Sequence, residues 1–220
     1  MIIKVQNLRT EIKYALKVKQ KSGIYESPEC IPEIILNYNL KKLIRKKLSL
    51  VTQVEYFEDE QHIYMVMKWA NKNLFTFMRD NKVPLLTEQE LRAPSLKIIK
   101  ALQAIHDVGF IHNNIQPSNI LIDLKYLPFK TSIKVKLCGL SMCIPIDFAE
   151  HVHDPPTTLF SAPEIIREGT QSVASDIWAL GATLFTLANG HLPFQNDDEI
   201  LTKNLDWSNR QRGLFDPDFV

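Results

Sequence analysis

The sequence has almost no surplus charge and few cysteines. Its 26 Lys and Arg residues offset 25 Asp and Glu residues, which leaves a formal net charge of +1 at pH 7. Such a balance provides no overall field to attract nucleic acid or an anionic membrane, so we expect neither as a partner. The three cysteines, Cys30, Cys138 and Cys143, form neither a disulfide framework nor the spacing of zinc ligands. We therefore expect a reducing compartment, the cytoplasm or the nucleus.

Long apolar runs are also missing. The longest have the length of a β-strand, and the start, Met1 to Lys4, lacks the apolar region of a signal peptide. No membrane-spanning segment is predicted. What the sequence does contain is 45% apolar and 23% charged residues in a chain of 220. This composition is ordinary for a globular protein and is sufficient for one sizeable core or two small lobes.

The first 70 residues have mainly the pattern of β-strands. Strand-length apolar runs occur at four places, and the acidic turn Glu58-Asp59-Glu60 lies between the last two. A helical pattern over 32–47 separates the second run from the third. These segments predict a small lobe rich in β-structure. The predicted strands are 2–5, 13–18, 50–56 and 62–68.

From residue 71 onward the pattern becomes helical. Thr87 and Glu90 have the spacing of a capping box, and an apolar stripe at helical spacing follows them. A second, strongly apolar helix is predicted over 177–187, and short strands over 120–123 and 133–137. The sequence as a whole therefore predicts an α+β fold, with a small β-rich lobe followed by a larger helical lobe.

Several short motifs occur in a fixed order along the chain. They combine apolar strand ends with isolated charged or amide residues, and no single one is specific by itself. In chain order they are Tyr14-Ala15-Leu16-Lys17, Met65-Val66-Met67-Lys68-Trp69-Ala70, His112-Asn113-Asn114-Ile115-Gln116-Pro117-Ser118-Asn119, Val135-Lys136-Leu137-Cys138-Gly139, Ser161-Ala162-Pro163-Glu164 and Ser175-Asp176-Ile177-Trp178.

In these motifs and in their spacing, the sequence resembles the eukaryotic protein kinase superfamily, especially its serine/threonine branch. The resemblance implies a two-lobed kinase-like fold over residues 1–220, with an N-lobe over 1–70, a hinge near 68–70 and a C-lobe over 71–220. The family's first strand and Gly-rich loop would precede Val5, and its last helices would follow Val220. The implied domain therefore lacks its first strand and Gly-rich loop and is truncated at the C-terminus.

The resemblance also implies roles for individual residues. Lys17 would hold phosphates and pair with a helix glutamate, for which Glu33 is the first candidate and Glu29 the second. Met67 would be the gatekeeper, and Asp176 would hold the backbone of the loop that starts at His112. The implied nucleotide-binding residues are Ala15, Lys17, Glu33, Met67, Lys68, Ala70, Asn119 and Leu121, and the implied structural residues are His112, Gly139, Glu164 and Asp176.

Three departures from the family pattern remove charges that phosphoryl transfer needs. Asn114 stands at the catalytic acid, Gln116 at a lysine that would touch the γ-phosphate and, in an ungapped comparison, Leu137 at the metal-binding acid. An amide cannot accept the substrate proton, which costs roughly 10² to 10⁴ in rate when a general base is lost. A leucine offers no oxygen to Mg²⁺. We therefore expect none of these positions to be catalytically functional, and no metal site.

An internal hydrophobic column of the family is altered as well. The resemblance maps this column onto Asn37, Gln53, Cys138 and His112. Because two of the four are amides, we expect the assembled, active-like arrangement of the column to be disfavoured.

Three functions agree with these residues. The first is a pseudokinase that serves as a binding or allosteric module for a protein partner, such as an active kinase or another signalling protein. The second is a serine/threonine kinase with residual ATP binding and weak phosphotransfer, which would need another carboxylate, Asp123 or Asp147, near the phosphates. The third is a truncated, decaying kinase duplicate that folds poorly. The one cofactor considered is ATP, bound weakly and without Mg²⁺.

Overall fold

The first part of the chain is an antiparallel sheet with one helix. The structure is a computed structural model that describes residues 1–21, 30–43, 48–81, 88–127, 130–151 and 155–204. Four strands pair in the order β1-β2-β4-β3, and helix α1 lies between β2 and β3 in the chain. The elements are β1 (Ile2–Gln6), β2 (Lys13–Gln20), α1 (Cys30–Leu43), β3 (Gln53–Glu58) and β4 (His62–Lys68).

Strand β3 begins three residues later than the apolar pattern predicts. Leu50 forms a single parallel bridge to Leu137, and the neighbouring Val51 N–H donates to the Leu137 carbonyl at 2.8 Å. The backbone at 50–51 is therefore paired with the second part of the chain and not with β4. Strand pairing within the first sheet starts at Gln53, which lies opposite Met67.

The second part of the chain is mainly helical and contains short strands that border the helices. Helix α3 carries the apolar stripe predicted from residue 91 onward, whereas Thr87, the first residue of the predicted capping box, lies outside the described residues. The elements are β5 (Lys72–Asn73), α2 (Leu74–Asn81), α3 (Glu88–Asp107), β6 (Phe110–Ile111), β7 (Ile120–Leu127), β8 (Lys130–Leu137), β9 (Ile144–Pro145), α4 (Pro163–Glu168), α5 (Val173–Asn189) and α6 (Asp197–Thr202).

Helix α5 is longer than its predicted range of 177–187, because its ends are set by polar caps. The Ser172 hydroxyl accepts the Ser175 N–H at 3.2 Å, and the Ser175 hydroxyl accepts the Ser172 N–H at 3.0 Å. This reciprocal pair is a capping box, which satisfies N–H groups that have no partner inside the helix. At the other end Gly190 adopts φ 74°, a left-handed conformation that ends a helix at little steric cost for glycine.

The core joins the two parts of the chain. Leu36 and Leu40 of α1 are fully buried against a cluster from α3, β7, β8 and α5. The fully buried members of largest volume include Ile98, Leu102, Ile105, Ile120 and Leu137. The predicted α+β class is thus confirmed. The predicted division at residues 68–70 stays a prediction, and none of the described helices is both long enough and apolar enough to cross a membrane.

Candidate functional site

A cleft opens where the first sheet meets strands β7 and β8. Its cavity has a volume of about 360 Å³, within the usual range for small-molecule sites. Strands β2 and β4 form one wall, with Ala15 opposite Met67 and Lys17 opposite Met65 in the ladder. Residues that follow the 112–119 loop and strand β8, such as Leu121 and Gly139, form the other wall.

All eight residues with an implied role in nucleotide binding line this cavity. The structure therefore brings together side chains that are up to 106 positions apart in the chain, from Ala15 to Leu121. They are Ala15, Lys17, Glu33, Met67, Lys68, Ala70, Asn119 and Leu121.

Glu33 is held by two lysines at the inner end of the cleft. The Lys17 ammonium lies 2.7 Å from both carboxylate oxygens of Glu33, and the Lys19 ammonium lies 3.2 Å from one of them. The Glu33 side chain is 5% exposed. Of the two candidate partners for Lys17, the structure brings Glu33 into contact, while Glu29 lies outside the described residues. Lys19 was missed by the sequence reasoning, although alternation along β2 places it on the same face as Lys17.

Two buried amides form the wall beside Glu33. The Asn37 side-chain amide donates to the Glu33 carbonyl at 2.8 Å, one turn earlier in α1, and its oxygen accepts the Gln53 N–H at 3.1 Å. The polar residues of the altered column are therefore assembled by hydrogen bonds, contrary to the expectation that amides would disfavour assembly. The side-chain oxygen Oε1 of Gln53 is buried and has no hydrogen-bond partner among the residues that the structure describes.

Asp176 of α5 fixes the loop that begins at His112. One carboxylate oxygen accepts the His112 N–H at 2.7 Å, and the other accepts the Asn113 N–H at 2.9 Å. His106 contacts the same carboxylate at 2.8 Å through Nε2. Asp176 is 1% exposed, so these three contacts take the place of water around a buried charge. The sequence reasoning did not find His106, because no local pattern distinguishes it. His106 and Asp176 are 70 positions apart in the chain and meet only in the folded protein.

The histidine itself is held as a neutral ring. His112 Nδ1 accepts the Asn114 N–H at 3.2 Å, and Nε2 lies 3.0 Å from the Cys138 carbonyl, to which it donates. Burial lowers the pKa of His112 below its usual value of 6.5, and the negative charge of Asp176 opposes this effect only in part. The ring thereby links the 112–119 loop to the residue that follows β8.

The two positions that the resemblance aligns with a charged catalytic pair hold two amides in contact. The Gln116 side-chain NH₂ donates to the side-chain oxygen of Asn114. The Asn114 carbonyl in turn accepts from the Asn119 side chain at 2.8 Å. Asn114 lines the cleft, but its side-chain oxygen is engaged by Gln116 and carries no charge.

Leu137 lies elsewhere than the ungapped comparison predicts. It ends β8, pairs with Ile120 and is fully buried on the core side, so its side chain does not face the cleft. The position closest to the Asn119 amide is Gly139, where an added Cβ would lie 2.6 Å from Asn119 Cγ. The residue whose backbone lies beside the Asn119 amide is therefore a glycine, which has no side-chain oxygen to offer a metal ion.

Carboxylates are scarce around the cleft. Among its described lining residues Glu33 is the one carboxylate, and both Lys17 and Lys19 contact it. In the described ranges no three His, Cys, Asp or Glu side chains are grouped as metal ligands would be. Cys138 also lines the cleft, and burial raises the pKa of its thiol to about 11, although the nearby Lys17 charge acts in the opposite direction.

Of the remaining implied structural residues, Gly139 lines the cavity and Glu164 does not. Gly139 has φ 85°, a left-handed conformation that side chains rarely adopt. Glu164 lies in the first turn of α4 and forms no ion pair with any residue of the described part of the chain. Asp123 is exposed on β7 and Asp147 lies in a 3₁₀ helix, and neither lines the cleft.

A sheet-borne lysine paired with a helix glutamate, facing a loop held by a buried helix aspartate, defines a protein kinase-like domain. The family model described as "Protein kinase domain" matches residues 1–214. The chain therefore belongs to the protein kinase superfamily, and both the predicted resemblance and the predicted kinase-like fold are confirmed.

Curated relatives are serine/threonine kinases and kinase-like proteins. "Serine/threonine-protein kinase PLK4" of Danio rerio is 23% identical over 209 residues, which cover 92% of this chain and 21% of that protein. "Putative ribosomal protein S6 kinase alpha-1" of Caenorhabditis elegans is 29% identical over 193 residues, 84% of this chain and 22% of that protein. "Inactive serine/threonine-protein kinase PLK5" of Mus musculus is 26% identical over 196 residues, 87% of this chain and 31% of that protein. The chain thus spans less than a third of the length of each of these three relatives.

Proposed function

We propose that this protein is a catalytically inactive kinase-like domain, a pseudokinase, that acts as a binding or allosteric module for a protein partner. The observation that carries the proposal is the neutral pair formed by Asn114 and Gln116, in a cleft where Glu33 is the one carboxylate among the described lining residues. The partner class is another signalling protein, such as an active kinase, and the expected location is the cytoplasm or nucleus.

The chemistry of phosphoryl transfer supports this proposal step by step. A general base must accept a proton from the substrate hydroxyl, and the Asn114 amide has no basic site for it. Mg²⁺ is bound through oxygen ligands, usually carboxylates, and the position beside Asn119 is Gly139. Gln116 supplies no positive charge for a developing phosphate charge. These losses act on the same transition state, so their effects reinforce one another and are not additive.

The alternative of a substituted mechanism requires a carboxylate near the reacting phosphate. Asp123 and Asp147 were the candidates, and neither lines the cleft. Glu33 does line it, but its charge is compensated by two ammonium groups. One of the relatives, from Mus musculus, is itself named an inactive serine/threonine-protein kinase. That name supports the proposal by analogy.

The direct test is a phosphotransfer assay with labelled ATP, in Mg²⁺ and in Mn²⁺, with autophosphorylation and generic protein substrates as readouts. Lys17→Ala serves as the matched control, because it removes the lysine that any kinase-like mechanism would use. We expect the parent protein and Lys17→Ala to give the same background. Metal-dependent incorporation that disappears in Lys17→Ala would refute the proposal.

Weak nucleotide binding without metal is a second candidate property. It is favoured by the presence of all eight implied nucleotide-binding residues around one cavity of about 360 Å³. In bound ATP, the adenine ring would lie between Ala15 and Leu121, and the anionic phosphates would lie near Lys17. Thermal unfolding with and without ATP, in EDTA and in Mg²⁺, tests this property. We expect a small rise in melting temperature in EDTA.

The same melting experiment tests the third reading, a decaying duplicate. A cooperative transition of the purified chain would show a folded domain, whereas a broad, featureless transition would support decay. The buried core that joins α1 to α3, β8 and α5 supports a cooperative transition.

A further inference from the structure

The first sheet carries apolar side chains on both of its faces. One face lies against α1, because Met65 of β4 is 1% exposed and its neighbour Lys17 of β2 contacts Glu33 of that helix. Side chains alternate between the two faces along a strand, so the residues in between point away from α1. We call that side of the sheet the outer face. Its apolar residues are Ile3, Val5, Tyr14, Leu16, Val18, Phe57, Tyr64 and Val66.

The outer face is open to solvent although it is apolar. None of its apolar side chains is buried, and those of Ile3 and Phe57 belong to residues that are 41% and 48% exposed. The rings of Phe57 and Tyr64 stack with their centroids 4.9 Å apart. Two continuous rows cross the strands, namely Ile3, Leu16 and Val66, and Val18, Tyr64 and Phe57. A sheet face in water usually carries polar residues, and a contiguous apolar patch is typical of an interaction surface.

Two exposed charges of opposite sign border the apolar rows. Glu55 of β3 lies opposite Val66, and Lys68 lies two residues beyond Val66 on β4. Diagonal neighbours of this kind are about 7 to 8 Å apart. Neither charge forms an ion pair or a hydrogen bond with a residue of the described ranges. The outer face therefore offers a partner one acid and one base, whose charges cancel.

We propose that the outer face binds a second copy of this chain, in a two-fold dimer in which the two sheets pack face to face. In this dimer Glu55 of each copy meets Lys68 of the other. A two-fold interface uses the same patch on both copies, so the patch must be complementary to itself. The outer face meets this condition, because apolar rows lie against apolar rows and the acid of one copy lies near the base of the other.

The geometry of the sheet agrees with this occupant. Two antiparallel sheets pack about 10 Å apart when their strand directions differ by about 30°, an angle that arises from the twist of each sheet. Two copies of one chain have the same twist, so their outer faces can pack in this way. A helix or an extended peptide would cover only part of the patch, which extends over three strand spacings, about 14 Å.

The size of the patch sets the expected affinity. The apolar rows alone are smaller than the roughly 800 Å² that each partner buries in a standard interface. Glu55, Lys68 and the rest of the border are needed to complete the contact, so we expect a weak dimer with a dissociation constant of about 10 to 100 μM. The outer face points away from the cleft residues Ala15 and Lys17. The inference is therefore independent of nucleotide binding and of phosphate transfer.

The first test measures the mass of the full chain in solution by sedimentation velocity, over protein concentrations from about 1 to 300 μM, which bracket the expected dissociation constant. Ile3→Lys puts a charge into the apolar contact of both copies, and we expect it to raise the dissociation constant at least about tenfold. Ile99→Lys is the matched control, because Ile99 is 40% exposed on α3 and Ile3 is 41% exposed on the outer face. It should dimerise like the parent.

The second test exchanges the two charges. Glu55→Lys alone and Lys68→Glu alone each bring like charges together across the two-fold axis, so each should weaken the dimer by about tenfold. The double variant Glu55→Lys, Lys68→Glu should dimerise like the parent. An equal mixture of the two single variants should form a mixed dimer, since one contributes two bases and the other two acids. These changes lie at exposed positions, and melting temperatures check that every variant is folded.

Three outcomes would overturn the inference. A parent chain that stays monomeric over the whole concentration range would leave the outer face to a different protein. Equal effects of Ile3→Lys and Ile99→Lys would place a dimer contact elsewhere. Charge exchanges that weaken the dimer without rescue in the double variant would show that Glu55 and Lys68 do not meet. The pseudokinase proposal is unaffected by these outcomes, because phosphate transfer tests it.

Discussion

The side-chain amide of Gln116 donates a hydrogen bond to the side-chain oxygen of Asn114. By the resemblance to active kinases, these two positions would hold a lysine and an aspartate. In this chain both positions hold neutral amides, and the two side chains are in contact. Loss of one charge alone would have left the other in a half-buried loop without its partner. The amide pair therefore leaves no unpaired charge in this part of the loop.

Restoring the two charges should not restore catalysis. In the double variant Asn114→Asp, Gln116→Lys we expect an ion pair in place of the amide pair and a well-folded protein. Phosphate transfer should remain at background, because Gly139 still provides no metal-binding oxygen beside Asn119. The measurement is incorporation of labelled phosphate in Mg²⁺, with the parent protein as control. Clear Mg²⁺-dependent transfer by the double variant would show that a metal site exists elsewhere.

Removal of the Asp176 carboxylate should destabilise the fold strongly. Asp176→Ala leaves the buried N–H group of His112 and the partly buried N–H group of Asn113 without their acceptor. We expect the free energy of unfolding to fall by about 3 kcal/mol or more, as for other buried charged networks. Urea denaturation measures the change. Asp123→Ala is the control, and since Asp123 is exposed we expect a change within about 0.5 kcal/mol. Equal effects of the two variants would contradict the anchoring role of Asp176.

Two glycine-to-alanine changes should act in opposite directions. At Gly139, φ is 85° and an added Cβ would lie 2.6 Å from Asn119 Cγ, so we expect Gly139→Ala to cost about 2 to 4 kcal/mol. At Gly181, inside α5, an added Cβ would meet no atom of the described part of the chain within 4 Å. There Gly181→Ala should stabilise the protein by about 0.5 to 1 kcal/mol, because alanine favours a helix. Chemical denaturation of both variants checks the signs, and a neutral Gly139→Ala would contradict the close contact.

His112 should make stability depend on pH. Its pKa in the folded state lies below the usual 6.5, so at low pH the unfolded chain binds a proton that the folded protein excludes. Its contribution is therefore fully present above about pH 6.5 and decreases as the pH falls, with a slope of at most about 1.4 kcal/mol per pH unit.

The variant His112→Gln should lose this part of the slope. Glutamine can still donate and accept hydrogen bonds, and it does not titrate. His191→Gln, at an exposed histidine, is the control and should keep the pH dependence of the parent. If His112→Gln does not fold, an NMR titration of the His112 ring in the parent protein replaces it. A ring that becomes protonated at its usual pH would contradict the prediction.

The sequence alone was sufficient for the family, the α+β class and the pairing of strand and helix residues in the cleft. Lys17 and Glu33 could be proposed as partners because, in the family, a strand lysine pairs with a glutamate of the helix that follows it in the chain. Asp176 was placed correctly beside the loop for the same reason. These features depend on local patterns that survive in the chain.

Other features depend on contacts between distant segments and could not be predicted. Leu137 was aligned with the metal-binding acid because the comparison was ungapped, whereas pairing of β8 with β7 buries it on the core side. The hydrogen bond from the Gln53 N–H to Asn37 joins β3 to α1, and polarity at these positions was wrongly taken as a sign of a disassembled column. The burial of Leu137 and the hydrogen bond to Asn37 each depend on two segments, so neither could be predicted from the sequence of one segment alone.

Asp176 holds the 112–119 loop through backbone N–H groups, and backbone N–H groups belong to every residue except proline. Most substitutions of the loop side chains therefore leave these hydrogen bonds, and with them the shape of the loop, unchanged. Catalytic side chains can be exchanged for amides in such a loop while its path through the protein remains the same. The path of this loop is therefore independent of the chemistry of the side chains at Asn114 and Gln116, and a change of catalytic residues there need not change the architecture around it.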